Sequence, residues 1–414
     1  MIKILNVVGA RPNFVKIAPL ISEMRKCQDI IPLLVHTGQH YDEEMSGSFF
    51  HDLEIPRPNY ELCVPPGPPV TQMSEIMARL EPVVTQAQPD VVLVVGDVNS
   101  TLAAALTAVR LGVPVAHVEA GLRSFDWRMP EEVNRVMTDA VSDLMFVTEP
   151  SGVENLLKEG KLPQGIFLVG NLMIDTLKRA LRRMESAAVL AAQNVLRSAG
   201  RTPELRYALL TLHRQGLVDD PVLFGKIWKI LQEIGREVPI VFPVHPRTQL
   251  RLCSIGFLGS MSDTTGTHFG GIHMIPPQGY VEFLSLQRQA AFVLTDSGGV
   301  QEETSALGVP CLTLRENTER PFTVTDGTNR IVGYDAERIH REVARVLSGE
   351  RRPQQAPGLW DGRAAERIVR VLRENVRPGR QKSQAQVQRF DAFSLPIPQH
   401  AADTDVGSAG KKTA

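Results

Sequence analysis

The stretch Leu294-Thr-Asp-Ser-Gly-Gly-Val-Gln-Glu-Glu-Thr-Ser305 carries the most information in the chain. Residues 292–295 are apolar or β-branched and predict a buried strand. Asp296, Ser297, Gly298 and Gly299 then form a small polar turn that runs straight into a helical pattern. A parallel sheet uses this unit to present free backbone N–H groups to an anion. The two glycines let the backbone approach a phosphate closely. Glu302 and Glu303 follow on the first helical turn, within reach of a ribose hydroxyl. The Gly-Lys-Ser/Thr of a P-loop is missing. The turn therefore points to a nucleotide or nucleotide-sugar, not to an ATP-hydrolysing machine.

Similar units recur on both sides of this one. Short apolar runs at residues 3–8, 32–36, 91–95, 113–118, 144–148 and 166–169 alternate with helical segments such as 100–111 and 132–141. Runs of this kind mark strands covered on both faces of a parallel sheet. After an Ala- and Arg-rich stretch at 177–205, a second set begins: 208–213, 240–245, 272–275, 292–295, 311–314 and 330–332. The pattern predicts two Rossmann-like, doubly wound α/β domains facing a cleft. Their expected extents are 1–175 and 176–360, with a last amphipathic helix at 361–376 returning to the first domain. Residues 377–414 have few large apolar side chains and read as a disordered tail.

A length of 414 residues suits two domains. The net charge of −1 gives no global field for nucleic acid or an anionic membrane. Cys27, Cys63, Cys253 and Cys311 lie far apart, without a C-x-x-C pair, and read as reduced thiols of a cytoplasmic protein. The first residues enter a strand without a signal-peptide pattern, and no stretch is apolar for the length of a membrane span.

In open parallel sheets, ligands bind beyond the carboxyl ends of the strands. Here those ends are rich in ionisable groups: Arg11 and Lys16 after the first strand, Asp97 after the third, His117, Glu119 and Arg123 at the fourth. In the second half, His213, His245 and the Asp296–Gly299 turn take equivalent places. Each has a structural reading beside the functional one. Asp97 and Thr101 can cap a helix. Glu119 and Arg123 can form an ion pair. His117 reads foremost as a hydrogen-bonded core histidine, and Glu131 suits a helix start. Capping alone does not require this many charged groups along the same edge of two sheets. The loop after the first strand lacks G-x-G-x-x-G and offers Arg11 and Lys16 instead, which argues against a dinucleotide cofactor.

Eight blocks in order resemble one family. They are Gly9-Ala-Arg-Pro-Asn-Phe-Val-Lys-Ile-Ala-Pro19, Thr37-Gly-Gln-His-Tyr-Asp42, Gly96-Asp97, Val118-Glu-Ala-Gly-Leu-Arg123, Pro130-Glu-Glu-Val-Asn-Arg135, Val244-His-Pro246, Ser297-Gly-Gly-Val-Gln-Glu-Glu303 and Thr318-Glu-Arg-Pro321. Together they are similar to the signature blocks of non-hydrolysing UDP-N-acetylglucosamine 2-epimerases. The resemblance implies a glycosyltransferase-B-type fold, interconversion of UDP-GlcNAc and UDP-ManNAc, and a homodimer working without metal, nicotinamide or other cofactor. It implies catalytic roles for Asp97, Glu119, Glu131 and His213. It places Arg11, Lys16, Arg135, His245, Ser297, Gly298, Gly299, Glu303 and Arg320 among the substrate-binding residues. Gln39, His40 and Gln72 match an allosteric UDP-GlcNAc site of some bacterial members. Two departures stand out. The loop 64–72 is proline-rich, with Thr71 where regulated members can have Arg, and His213-Arg-Gln-Gly replaces the usual sequence after the histidine. A related UDP-2-acetamido sugar, a hydrolysing epimerase and a UDP-sugar-dependent glycosyltransferase stay open as alternatives.

Overall fold

The computed structural model describes residues 1–38, 52–183, 206–256, 268–350 and 358–379. Gln39, His40, nearly all of the 377–414 tail and the Arg11 side chain lie outside what is described. Two seven-stranded sheets organise the chain. The first contains β1 (Ile2–Val8), β2 (Ile30–His36), β3 (Tyr60–Glu61), β4 (Val91–Val95), β5 (Val115–Val118), β6 (Leu144–Val147) and β7 (Ile166–Leu168), in spatial order 3-2-1-4-5-6-7. All its pairings are parallel. The second contains β8 (Ala208–Thr211), β9 (Ile240–Pro243), β10 (His268–Phe269), β11 (Ile272–Ile275), β12 (Phe292–Thr295), β13 (Cys311–Thr313) and β14 (Asn329–Ile331), in order 10-11-9-8-12-13-14. Only β10 runs antiparallel. This is the doubly wound α/β class that the alternating pattern predicts. Its two topological switch points fall between β1 and β4 and between β8 and β12.

The two edge strands β3 and β10 are too short to leave an apolar run in the sequence. Several predicted strands end one or two residues early, which puts Thr148, Val169, His213 and His245 in the turns beyond them. The proline-rich stretch 64–72 is not all loop. A helix, Pro69–Ala87, begins inside it with proline at its first position, where the missing N–H costs nothing. Gly298 and Gly299 belong to the first turn of the helix Gly298–Leu307 rather than to the loop before it.

Strand β4 is buried at every position, as a central strand covered on both faces must be. The helix Leu172–Arg183 packs on the helix Arg11–Met24 and also touches Gly298–Leu307. The last helix, Ala364–Asn375, packs on Arg11–Met24 with Ala364, Ala365, Ile368, Val369, Val371 and Leu372 buried. That spacing is the one-faced stripe of an amphipathic helix. Asp175 caps it, accepting the N–H groups of Ala364 at 3.1 Å and Ala365 at 2.8 Å. Burial, partly offset by those two bonds, pushes the Asp175 carboxyl up to about 6. Tyr280 and Leu284 of the second half join the core cluster formed by these helices, so the halves share an apolar seam.

Pro19 sits inside the helix Arg11–Met24 and has no N–H for the carbonyl of Val15, four residues earlier. The Thr176 hydroxyl fills that gap, donating to Val15 O at 2.5 Å. A sequence-local defect thus becomes a fixed contact between two helices. We expect Thr176→Val to lower unfolding free energy by about 1–3 kcal/mol, the cost of leaving a buried acceptor without its donor. Chemical denaturation of both proteins measures it, and an unchanged midpoint contradicts the assignment.

Candidate functional site

At the first switch point, Gly9 brings the loop after β1 against the helix Asn99–Arg110. A Cβ at Gly9 would lie 2.1 Å from Ser100 Oγ and 2.5 Å from Thr37 Oγ1. Asn13 ties this loop to β4. Its Oδ1 accepts the N–H groups of Gly9 and Ala10, both at 3.1 Å, and its Nδ2 donates to Val95 O at 2.8 Å. One helical turn on from Asn13, Lys16 reaches over Gly96, where a Cβ would meet Lys16 Nζ at 3.3 Å. Lys16 and Glu119 form a buried ion pair there. The Glu119 Oε1 atom is buried and has no hydrogen-bond donor among the described residues. Glu119 also has φ +72°, a left-handed backbone conformation rare for any side chain but glycine. Strain of this kind concentrates at functional sites.

Asp97 does not cap the following helix, whose N-cap is Val98. Its carboxylate instead accepts Arg135 Nη2 at 2.5 Å and keeps about a quarter of its side-chain surface open (27%). Burial alone would raise its pKa. Arg135 and Lys16 outweigh that and hold Asp97 below the usual carboxylate range. Arg135 Nη1 also donates to Glu132 Oε2 at 2.5 Å. Glu132 in turn anchors the preceding loop, accepting the N–H groups of Ser124 and Phe125 at 2.9 Å each. Glu131, beside it in the first turn of Pro130–Val141, is half-buried and pairs with no described residue. The structural alternative of a Glu119–Arg123 ion pair is not what forms: Glu119 pairs with Lys16, and Arg123 with Asp139 and Glu159.

At the second switch point, the buried Asp296 accepts the backbone N–H groups of His213 at 2.9 Å and Arg214 at 2.8 Å. His213 Nδ1 lies 3.3 Å from Asp296 Oδ1, with its side chain 46% exposed. Ser297 and Gly299 are partly open at the helix start, and among the described residues a Cβ on Gly299 would meet only Met173, at 3.4 Å. Gly298 is a packing requirement. A Cβ there would lie 2.3 Å from Arg320 Nη1 and 2.7 Å from Glu319 Oε1. Arg320 pairs with Glu302 at 2.8 Å and with Glu319 at 2.5 Å. Glu319 also takes Arg315 at 2.8 Å and Arg214 at 3.1 Å. Burial opposes its ionisation, but those arginines hold it well below the ordinary range.

Glu302 and Glu303 are both buried. Burial pushes each up to about 7, against the pull of Arg320 on Glu302 and of the Tyr280 hydroxyl on Glu303. Tyr280 donates to Glu303 at 3.0 Å. His245 is exposed at the end of β9. Gln72 is buried and accepts Asn99 Nδ2 at 3.1 Å; Asn134 Nδ2 in turn donates to Asn99 Oδ1 at 3.2 Å and to the Asp97 carbonyl at 3.0 Å. Among the described residues no cluster of His, Cys, Asp and Glu could hold a metal ion, and no helix is long and apolar enough to cross a membrane.

The two edges meet. Arg320 of the second half acts on Asp97 and Glu119 of the first, and Arg135 of the first acts on Glu319 of the second. Arg315 Nη2 reaches Met129 Sδ at 3.9 Å across the gap. Lys16, Asp97, Glu119, Arg135, Glu302, Glu319 and Arg320 therefore form one charge network between the sheets.

The family profile described as UDP-N-acetylglucosamine 2-epimerase matches residues 22–373. This chain belongs to that family. The UDP-N-acetylglucosamine 2-epimerase of Methanocaldococcus jannaschii is 40% identical over 373 residues, covering 89% of this chain and 98% of that protein. The UDP-2,3-diacetamido-2,3-dideoxy-D-glucuronate 2-epimerase of Pseudomonas aeruginosa is 39% identical, covering 89% and 99%. A crystal structure of the Methanocaldococcus jannaschii enzyme in complex with UDP-GlcNAc and UDP superposes with a TM-score of 0.83 at 40% identity, over 90% of this chain and all of that one. A Neisseria meningitidis UDP-GlcNAc 2-epimerase bound to UDP-GlcNAc gives 0.80 at 29% identity, over 90% and 100%. The family is one of isomerases, and the fold is glycosyltransferase-B-like.

Sequence reading misses how the site is held. Arg214 and Glu319 stand inside the quoted stretches and Arg315 in none, but nothing in the sequence pairs them; the turns beyond β8 and β13 bring them together. Glu132 looks like a helix-start carboxylate, yet it locks a loop. The left-handed Glu119 carries a testable consequence. Glu119→Gly and Glu119→Ala both remove the carboxylate and strand Lys16, but only glycine relieves the backbone. The glycine variant should be the more stable by about 1 kcal/mol in denaturant unfolding. Equal stability contradicts the strained geometry.

Proposed function

We propose that this chain epimerises UDP-N-acetylglucosamine at C2, giving UDP-N-acetylmannosamine, by elimination and re-addition of UDP. C2 of a 2-acetamido sugar has no neighbouring carbonyl to delocalise a carbanion. Elimination avoids that problem. The C2–H bond gives its proton to a base, its electrons form the C1=C2 double bond of a glycal, and the C1–O bond leaves with UDP. Protonation of C2 from the opposite face and return of UDP complete an inversion with no net redox.

The convergence of carboxylates and buried cations at two facing switch points carries this reading. Asp97 keeps part of its carboxylate open, which suits it to reach a sugar and accept the C2 proton. Glu119 and Glu131 are the partners for proton return from the other face. Lys16, Arg11, Arg135, Arg320 and His213 supply positive charge and donors to the departing diphosphate. The N-terminus of Gly298–Leu307, with Ser297, Gly298 and Gly299, gives it backbone N–H groups. His245 and Glu303 complete the nucleotide side. A diphosphate entering between the sheets would compete with Glu119 for Lys16, so binding and release of the acid–base group are linked.

The functional unit in this proposal is a cytoplasmic homodimer. Val133 and Met137, four residues apart on the helix Pro130–Val141, are exposed apolar groups that a second copy would cover.

Proton NMR of UDP-GlcNAc with the purified protein in deuterated water tests the reaction. Deuterium should enter C2 as the manno isomer appears. Asp97→Asn and Glu119→Gln should each lose about a hundredfold or more in turnover while still binding UDP by calorimetry. Near-wild-type turnover in both removes them from the mechanism. Exchange only with the UDP-diacetamido-glucuronate would reassign the sugar, free ManNAc would indicate hydrolysis, and no change without an acceptor would favour glycosyl transfer.

A further inference from the structure

His117 takes no part in the chemistry above, yet the chain segments that carry Asp97, Glu119 and Glu131 all meet at its ring. It lies in β5 and is fully buried. Its Nδ1 is 2.6 Å from Asp139 Oδ1, and its Nε2 is 2.9 Å from the carbonyl oxygen of Gly96, the residue before Asp97. Asp139 stands two helical turns beyond Glu131 on the helix Pro130–Val141. Its other oxygen accepts the Gly121 N–H at 3.0 Å and Arg123 Nη2 at 2.8 Å. Gly121 belongs to the turn that holds Glu119 left-handed.

A core histidine satisfied in the ordinary way needs one donor and one acceptor. Here both ring nitrogens face groups that only accept, a carboxylate and a carbonyl. A neutral ring would set a lone pair against one of these acceptors, whereas a ring with hydrogen on both nitrogens would satisfy both. The charges compensate within the protein: the imidazolium and Arg123 face Asp139, and Arg123 continues to Glu159 at 2.6 Å. Burial works against ionisation of Asp139, but His117 and Arg123 keep it below the usual carboxylate range.

We propose that the His117 imidazolium and Asp139 form a positioning pair for the C2 epimerisation, fixing the Asp97 turn, the Glu119 turn and the Glu131 helix relative to one another. This rests on the reaction proposed above. The pair touches no substrate. It acts by joining the Gly96 carbonyl, through one ring and one carboxylate, to Gly121 and to the helix.

Two measurements test it. Long-range proton–nitrogen NMR on the labelled wild-type protein, with His117 assigned by its loss in a variant, should show both ring nitrogens protonated at neutral pH. A bare nitrogen overturns the pair. In kinetics, His117→Asn keeps a donor toward Asp139 and loses Gly96, whereas His117→Gln does the reverse. Each should lose about a hundredfold in kcat, the scale of a ~1 Å misplacement. KM and UDP affinity should stay within about twofold, the signature of an effect confined to the chemical step. Wild-type kcat in a folded variant, or parallel loss of kcat and UDP affinity, overturns the positioning role. If the wild-type protein exchanges no C2 hydrogen with either UDP-sugar, the reaction reading fails, and the ring spectrum still decides the protonated pair.

Discussion

A guanidinium taken out of water must be met by carboxylates, and Arg320 is such a group. It is buried between the two sheets, with Glu302 and Glu319 beside it and Glu119 and Asp97 acting on it from the facing half. Removing any one partner leaves uncompensated charge in a poorly solvated gap, which is costly. That constraint explains residues that otherwise look unrelated. Gly298 is glycine because Arg320 occupies the place of its side chain. Glu319 is surrounded by three arginines because a lone buried carboxylate would protonate. The facing edges stay close because their charges neutralise one another.

The backbone serves the same end. Doubly wound sheets place turns, not strands, at the switch points, so charged side chains can gather there without breaking a ladder of hydrogen bonds. Asn13 ties the first loop to β4, and Asp296 ties the His213–Arg214 turn to β12. Both side chains hold turns by accepting backbone N–H groups. Farther out, Thr176 repairs the gap left by Pro19, and Asp175 caps the returning C-terminal helix. Rigid surroundings of this kind let a strained residue such as Glu119 persist.

Much of the fold is legible in the sequence because buried parallel strands leave apolar, β-branched runs that no other element imitates at that spacing. The exceptions have physical causes. β3 and β10 are two residues long and leave no run to read. Pro69 punctuates a helix start that resembles a proline-rich loop until its N-terminal position is seen. The site is legible in part: Asp97, Glu119, Lys16, Arg135 and Arg320 do converge. The pairings are not, because a charge in sequence does not name its partner. Arg123 pairs with Asp139 and Glu159 and not with Glu119, four residues away in sequence, whose carboxylate goes to Lys16.

In the proposed reaction the cations between the sheets serve a diphosphate that leaves and returns. Positional isotope exchange reads that departure and return. UDP-GlcNAc carrying oxygen-18 in the bridge between C1 and the β-phosphorus is incubated with the protein, and the label is followed by phosphorus NMR. Breaking the C1–O bond frees the β-phosphate to rotate, so the label should spread into the non-bridging positions as C2 inverts. Inversion at C2 with the label wholly retained in the bridge would contradict the account.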